Sequence, residues 1–270
     1  MMPRRQNSVR RWLSSGGTIA GALMLYVATA VGTMALTGSS VLGAVVSNAV
    51  AILLGQWWRR REGNSGPAGQ GRTGTSSTWP ASFMLLAGAC LIFCWFVGQA
   101  TSIWFYELFG SPGFDQHNAA KAQAPAALMI TVALILAPMG EEMLMRGIAY
   151  TTLRHHMPVI AASMITACLF SAMHLNIVQI AATFPLGMLL AIVYEFTGKL
   201  RVVVLMHTIF NVMSMTVPVQ LVAALSTPPL VLASGAVVVV TLAGLYRAGL
   251  TIDADPPAGK VRSPMDHTDR

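Results

Sequence analysis

The sequence predicts an all-α protein, a polytopic transmembrane helical bundle of about eight helices, and three observations carry that prediction. Only 10% of the residues are charged while 54% are apolar, against about 25% charged in an ordinary soluble domain. Apolar runs long enough to cross a hydrocarbon layer of about 30 Å recur along the chain, separated by short polar breaks. The cations of this chain, whose formal net charge is +7, lie at the chain ends and between those runs, not on one amphipathic face. Cytoplasmic loops of membrane proteins look like this, and a nucleic-acid surface does not.

Arg4, Arg5, Arg10 and Arg11 precede the first apolar run, residues 18–36. A signal peptide, of the general or the twin-arginine type, is one reading of that segment; the length of the run and the spans that follow favour a retained helix. The second span, residues 41–58, ends on Trp57 and Trp58 and then on Arg59, Arg60 and Arg61, an interfacial aromatic pair followed by a cationic stop on the cytoplasmic side. Residues 62–78 are rich in Gly and Ser and predict a flexible loop. The third span, residues 80–108, is long and expected to tilt, and the following loop at 109–124 holds a single cation, Lys121, which puts it outside.

A long helical stretch over residues 125–150 contains Glu141, Glu142 and Arg146, and a polar break with Arg154, His155, His156 and Pro158 follows it. Four more spans are expected at 159–174, 177–196, 202–219 and 230–246. Eight crossings put both termini on one side, and the cations at 4–11, 59–72, 146–154, 199–201 and 247 all fall there, with Lys121 the exception. The expected location is a bacterial cytoplasmic membrane with both termini cytoplasmic. The organisation reads as amino-terminal helices over 1–124, a core over 125–250 and a disordered tail over 251–270. No internal repeat relates two halves. Cys90, Cys94 and Cys168 lie inside apolar runs without a CxxC pair and read as buried free thiols.

A charge near the bilayer centre costs about 2.5–3.5 kcal/mol on insertion scales, so intramembrane charges need a reason. Helix geometry separates Glu141 from Glu142, because residues four apart share a face and adjacent residues point about 100° apart. Glu142 can pair with Arg146, which leaves Glu141 aimed elsewhere and free to handle a proton. Pro138 bends the helix or admits water beside it. A charged helix end at the interface is the plainer alternative. Phe170 and His174 share one face, as do His207 and Asn211. A lone intramembrane His is ordinarily a packing hydrogen-bonder and a lone Phe is core. Two such histidines with an amide and an unpaired Glu, on three helices, supply a base for water and donors for an oxyanion. No Ser or Cys has a clear base partner.

The motifs EEMLMR (141–146), FSAMH (170–174) and HTIFN (207–211) match EExxxR, FxxxH and HxxxN of the CPBP intramembrane proteases, in the same order. The chain resembles that family, the type II CAAX prenyl endopeptidase-like or Abi group, over about residues 126–215, and the stretch from Phe184 through the Tyr194-Glu195 turn to Asn211 is similar as well. The resemblance implies an intramembrane endopeptidase of the glutamic or metallo class. Glu141 with His174 would activate water, His207 with Asn211 would form the oxyanion site, and Glu142, Arg146 and Phe170 would support them. This requires His174, which ends its span towards the outside, to reach the depth of Glu141 and His207.

Relatives in that family trim prenylated CAAX tails, process other peptides or act in bacteriocin immunity. The expected partners are a membrane-associated peptide or protein tail and the bilayer, not nucleic acid. A zinc ion, if one is bound, would take Glu141, His174 and His207; the chain has no HExxH pair and Asn211 is a poor zinc ligand, so the expectation is no cofactor. Two readings of another class stand beside the protease: a catalytically silent immunity or scaffold protein, and a proton-coupled transporter relaying through Glu141.

Overall fold

A computed structural model describes residues 3–61 and 79–254 of the chain. Among them it has ten helices and no strand: α1 (Pro3–Thr37), α2 (Ser40–Arg61), α3 (Ala81–Phe109), α4 (Pro112–Gln123), α5 (Ala126–Arg154), α6 (Val159–Ala172), α7 (Ile177–Thr197), α8 (Leu200–Thr216), α9 (Val219–Leu225) and α10 (Pro228–Ala254). The loop expected at 62–78 and most of the expected tail lie outside the described residues.

Six helices are long and apolar enough to cross a membrane: α1 from Ser15, α2, α3, α5, α7 and α10. The chain is an integral membrane protein, and its outward side chains suit that solvent, with Leu85, Leu232 and Val240 fully directed away from the bundle. The span expected at 202–219 is α8 followed by α9, bent by 93° where Pro218 caps the second helix and cannot continue the first. Eight apolar segments are therefore present, but α6 has only 14 residues and, at about 1.5 Å per residue, reaches about 21 Å.

The bundle is organised around α7: 67% of its most apolar window is buried, against 11% for α1. It packs against α3, α6, α8 and α10, while α1 packs mainly on α2. Asn176 starts α7 by accepting from Gln179 N at 2.8 Å, and Gly198 ends it at φ 60, where a residue with a Cβ is strained. At that end Arg154 makes a two-pronged contact with Glu195, Nη2 to Oε1 at 2.8 Å and Nε to Oε2 at 3.0 Å, and Tyr150 Oη donates to Oε2 at 2.9 Å. This ties the end of α5 to the end of α7.

Two expectations need correcting. The loop expected at 109–124 contains α4, whose start is set by Pro112 in the first turn and by Ser111, whose hydroxyl accepts from Phe114 N. Cys168 is exposed while Cys90 and Cys94 are buried; it lines an apolar groove with Val97 and Phe105 of α3 and Phe184 of α7, because α6 turns that side away from the core.

Candidate active site

The site is built on α5, whose backbone departs from a regular α-helix at two places. Wider turns with hydrogen bonds five residues apart run over Val132–Leu136 and Met143–Tyr150, on either side of the Pro138–Glu142 segment. Pro138 has no N–H to return to the preceding turn, so the carbonyls of Ala133 and Leu134 need other donors. They find them on α8: Asn211 Nδ2 donates to Ala133 O at 2.8 Å and Thr208 Oγ1 to Leu134 O at 3.0 Å. The proline thus docks the helix bearing His207 and Asn211 onto the helix bearing the glutamates.

Glu142 and Arg146 are each 0% exposed. Arg146 Nη1 lies 3.0 Å from both carboxylate oxygens of Glu142, and Nη2 donates to Gly187 O at 2.7 Å. Gly187 also lets α6 lie close against α7: a Cβ there would stand 2.9 Å from Ala167 Cα and 3.3 Å from the Phe170 ring. The guanidinium lies over the Phe170 ring at 5.4 Å. Glu142 also holds His207, whose Nδ1 is 3.0 Å from Oε1. The other ring nitrogen, Nε2, faces Glu141 Oε2 at 3.8 Å.

His174 follows the last turn of α6. Its Nδ1 is 3.1 Å from Phe170 O, and the next residue, Leu175, has φ 57, a left-handed conformation costing a non-Gly residue about 1–2 kcal/mol. The chain accepts that strain to turn sharply into α7. Counted from the Arg154–Glu195 end, the short α6 brings His174 about as deep as Glu141, since each lies roughly 20 Å along its helix. Phe170 carries both histidines edge-on, with centroid distances of 5.5 Å to His174 and 5.5 Å to His207. No hydrogen bond or ion pair joins Glu141 to His174 among the described residues.

These residues come together within a segment that has a recognisable sequence. Residues 123–213 match the family model described as type II CAAX prenyl endopeptidase Rce1-like. The segment is similar to CAAX-protease-type domains. The Rce1-like domain starts at the last residue of α4 and ends within α8, so it contains the three motifs and excludes α1, α2 and α3. No curated protein and no solved structure matches the chain.

Within the Rce1-like domain the residues do not fit a three-ligand zinc site as they stand. Among the described residues no group of three His, Cys, Asp or Glu converges on one point, and each of the two histidines packs edge-on against Phe170.

Two neighbours of the site were not singled out in the sequence. Thr208 sits inside the HTIFN motif, where its hydroxyl looks like an ordinary polar filler until the proline's unpaired carbonyls are counted. The half-buried His117 of α4 lies near the same end of α6, since a Cβ on Gly113, one turn earlier on that face, would stand 3.7 Å from Asn176 Cβ. Burial first, and then electrostatic coupling to Lys121 and His174, push His117 down to about 4 from its ordinary value. The apolar-pattern reading treated 109–124 as loop, so no face was assigned to it.

Proposed function

We propose that the chain is an intramembrane endopeptidase that hydrolyses a peptide bond in a membrane-associated peptide or protein tail, prenylated CAAX tails being the first substrate class to try. The observation that carries the reading is the setting of His207, gripped at Nδ1 by the buried Glu142–Arg146 pair and turned at Nε2 towards Glu141, within a domain of the protease family.

In this reading Glu141 takes a proton from water, and His174 orients that water. The hydroxide adds to the peptide carbonyl, whose oxygen becomes an oxyanion. His207, carrying a proton on each ring nitrogen so that Nδ1–H donates to Glu142 and Nε2–H to the oxyanion, and the second amide hydrogen of Asn211 stabilise that charge. Glu141 then passes its proton to the departing amine as the C–N bond breaks. Glu142, Arg146 and Phe170 hold the histidines in place.

The test uses purified protein in lipid nanodiscs and a farnesylated peptide ending in a CAAX sequence. Wild type should release the terminal tripeptide and Glu141→Gln should not. A wild type that leaves this peptide intact removes the prenylated substrate class, and cleavage by Glu141→Gln removes the role given to Glu141. Activity should also survive prolonged strong chelation. Stoichiometric zinc whose removal abolishes activity and whose return restores it would make Glu141, His174 and His207 ligands and take His207 out of the oxyanion site.

A further inference from the structure

The amino-terminal hairpin α1–α2 lies outside the Rce1-like domain, yet one point of contact brings it against the residue before Glu141. A Cβ on Gly140 would stand 2.4 Å from Asn48 Oδ1 and 2.9 Å from Asn48 Cα. Only glycine lets α2 come this close to α5. Ser47 and Asn48 are each 1% exposed, two polar residues in an apolar helix, facing inward. Asn48 Nδ2 donates to Ala44 O at 2.9 Å, but its Oδ1 is buried without a donor. An acceptor left so costs stability, and Ala would fill an inward helix position without that cost. Tyr26 of α1, half-buried against the core, lies beside Ser47 and Asn48 and within electrostatic reach of the Glu141 carboxylate.

We propose that Asn48 and Tyr26 complete the site around Glu141: Asn48 Oδ1 accepts one hydrogen of the attacking water, and Tyr26, beside Ser47 and Asn48, orients the Glu141 carboxylate. The inference rests on the catalytic reading of Glu141. A water whose first hydrogen goes to Glu141 needs an acceptor for its second, and the unpartnered amide oxygen beside Gly140 is an acceptor of that kind. Asn48 is thereby a contact of the reacting water and Tyr26 a positioning residue. The amino-terminal helices then contribute to the chemistry as well as to the membrane anchor.

Two readouts on Tyr26→Phe, Asn48→Ala and Glu141→Gln test this. The chain has five tyrosines, so carbon-13 labelling of the tyrosine ring gives a simple spectrum in which the Tyr26 resonance is the one lost in Tyr26→Phe. That resonance should move in both Asn48→Ala and Glu141→Gln while the other four stay in place. On the farnesylated peptide, Tyr26→Phe and Asn48→Ala should lower kcat at least tenfold, with KM unchanged and the unfolding temperature no lower, a split that a purely structural role would not give. A Tyr26 resonance indifferent to both substitutions overturns the proposal even if the peptide is no substrate. So does a wild-type kcat in Asn48→Ala; if Glu141→Gln is silent in that experiment, the catalytic reading of Glu141 stands and only the hairpin's part falls.

Discussion

Glu141 and Glu142 are neighbours in the chain, and α5 sends them into two different settings. Around Glu142 everything is closed: the carboxylate is 0% exposed, meets Arg146 and His207, and lies in a wall of Phe170 and the α6–α7 crossing at Gly187. Around Glu141 the side chain keeps 12% of its surface, has the His207 ring at 3.8 Å, and stands next to the glycine that admits α2. A fully buried carboxylate shared by a cation and an imidazole holds structure. One with spare lone pairs and a little access can take and give a proton.

Breaking the closed side should give the largest effect. Arg146→Ala leaves Glu142 buried and unpaired, and Glu142→Gln loosens both Arg146 and His207; each should cost about 3–5 kcal/mol of stability, read as lower yield and a lower unfolding temperature. A normally stable, fully folded Arg146→Ala protein would erase the difference between the two sides.

The docking of α8 sharpens the comparison, because Thr208 and Asn211 both serve the proline-freed carbonyls but only Asn211 is assigned to the oxyanion. Asn211→Ala should lower kcat by roughly 100-fold or more, with about 1 kcal/mol of stability lost for the missing hydrogen bond. Thr208→Val should lose a similar stability and keep kcat within a few-fold. Equal loss of activity in the two would make Asn211 a strut like Thr208.

The smallest effect belongs to α4. His117 is a base pushed down to about 4 in the fold, whereas an unfolded chain takes up its proton near pH 6.5. Its contribution is fully present above about pH 6.5 and is lost as the pH falls towards 4, about 1 kcal/mol once solvent screening is allowed for. The unfolding temperature of wild type should therefore fall relative to that of His117→Gln as the pH is lowered through that window. A constant offset would mean that burial does not set the state of His117.

Much of the architecture was legible because it depends on short-range pattern. Apolar run lengths give the helices, and the four-residue step from Glu142 to Arg146 puts them within reach of each other, where they lie 3.0 Å apart. What depends on distant partners was not legible. Nothing in the sequence says that Glu142 meets His207, 65 residues later, or that the carbonyls freed by Pro138 are taken up by Thr208 and Asn211. The bend at Pro218 and the strained turn at Leu175 end α8 and α6 earlier than apolar counting suggests. Asn48 carried the one neglected signal, an amide in an apolar helix, the same anomaly that drew attention to the histidines. The depth of His174 became clear only once α6 proved too short to cross by itself.

The central claim is that this protein cuts peptide bonds with Glu141, and quantitative peptidomics of membranes from cells making either wild type or Glu141→Gln at equal levels tests it without presuming a substrate. The account predicts a defined set of cleaved peptides or shortened protein tails present with wild type and absent with Glu141→Gln, although both proteins are inserted and equally stable. Indistinguishable peptide populations in the two membranes would contradict it and leave a membrane protein that keeps the domain without its chemistry.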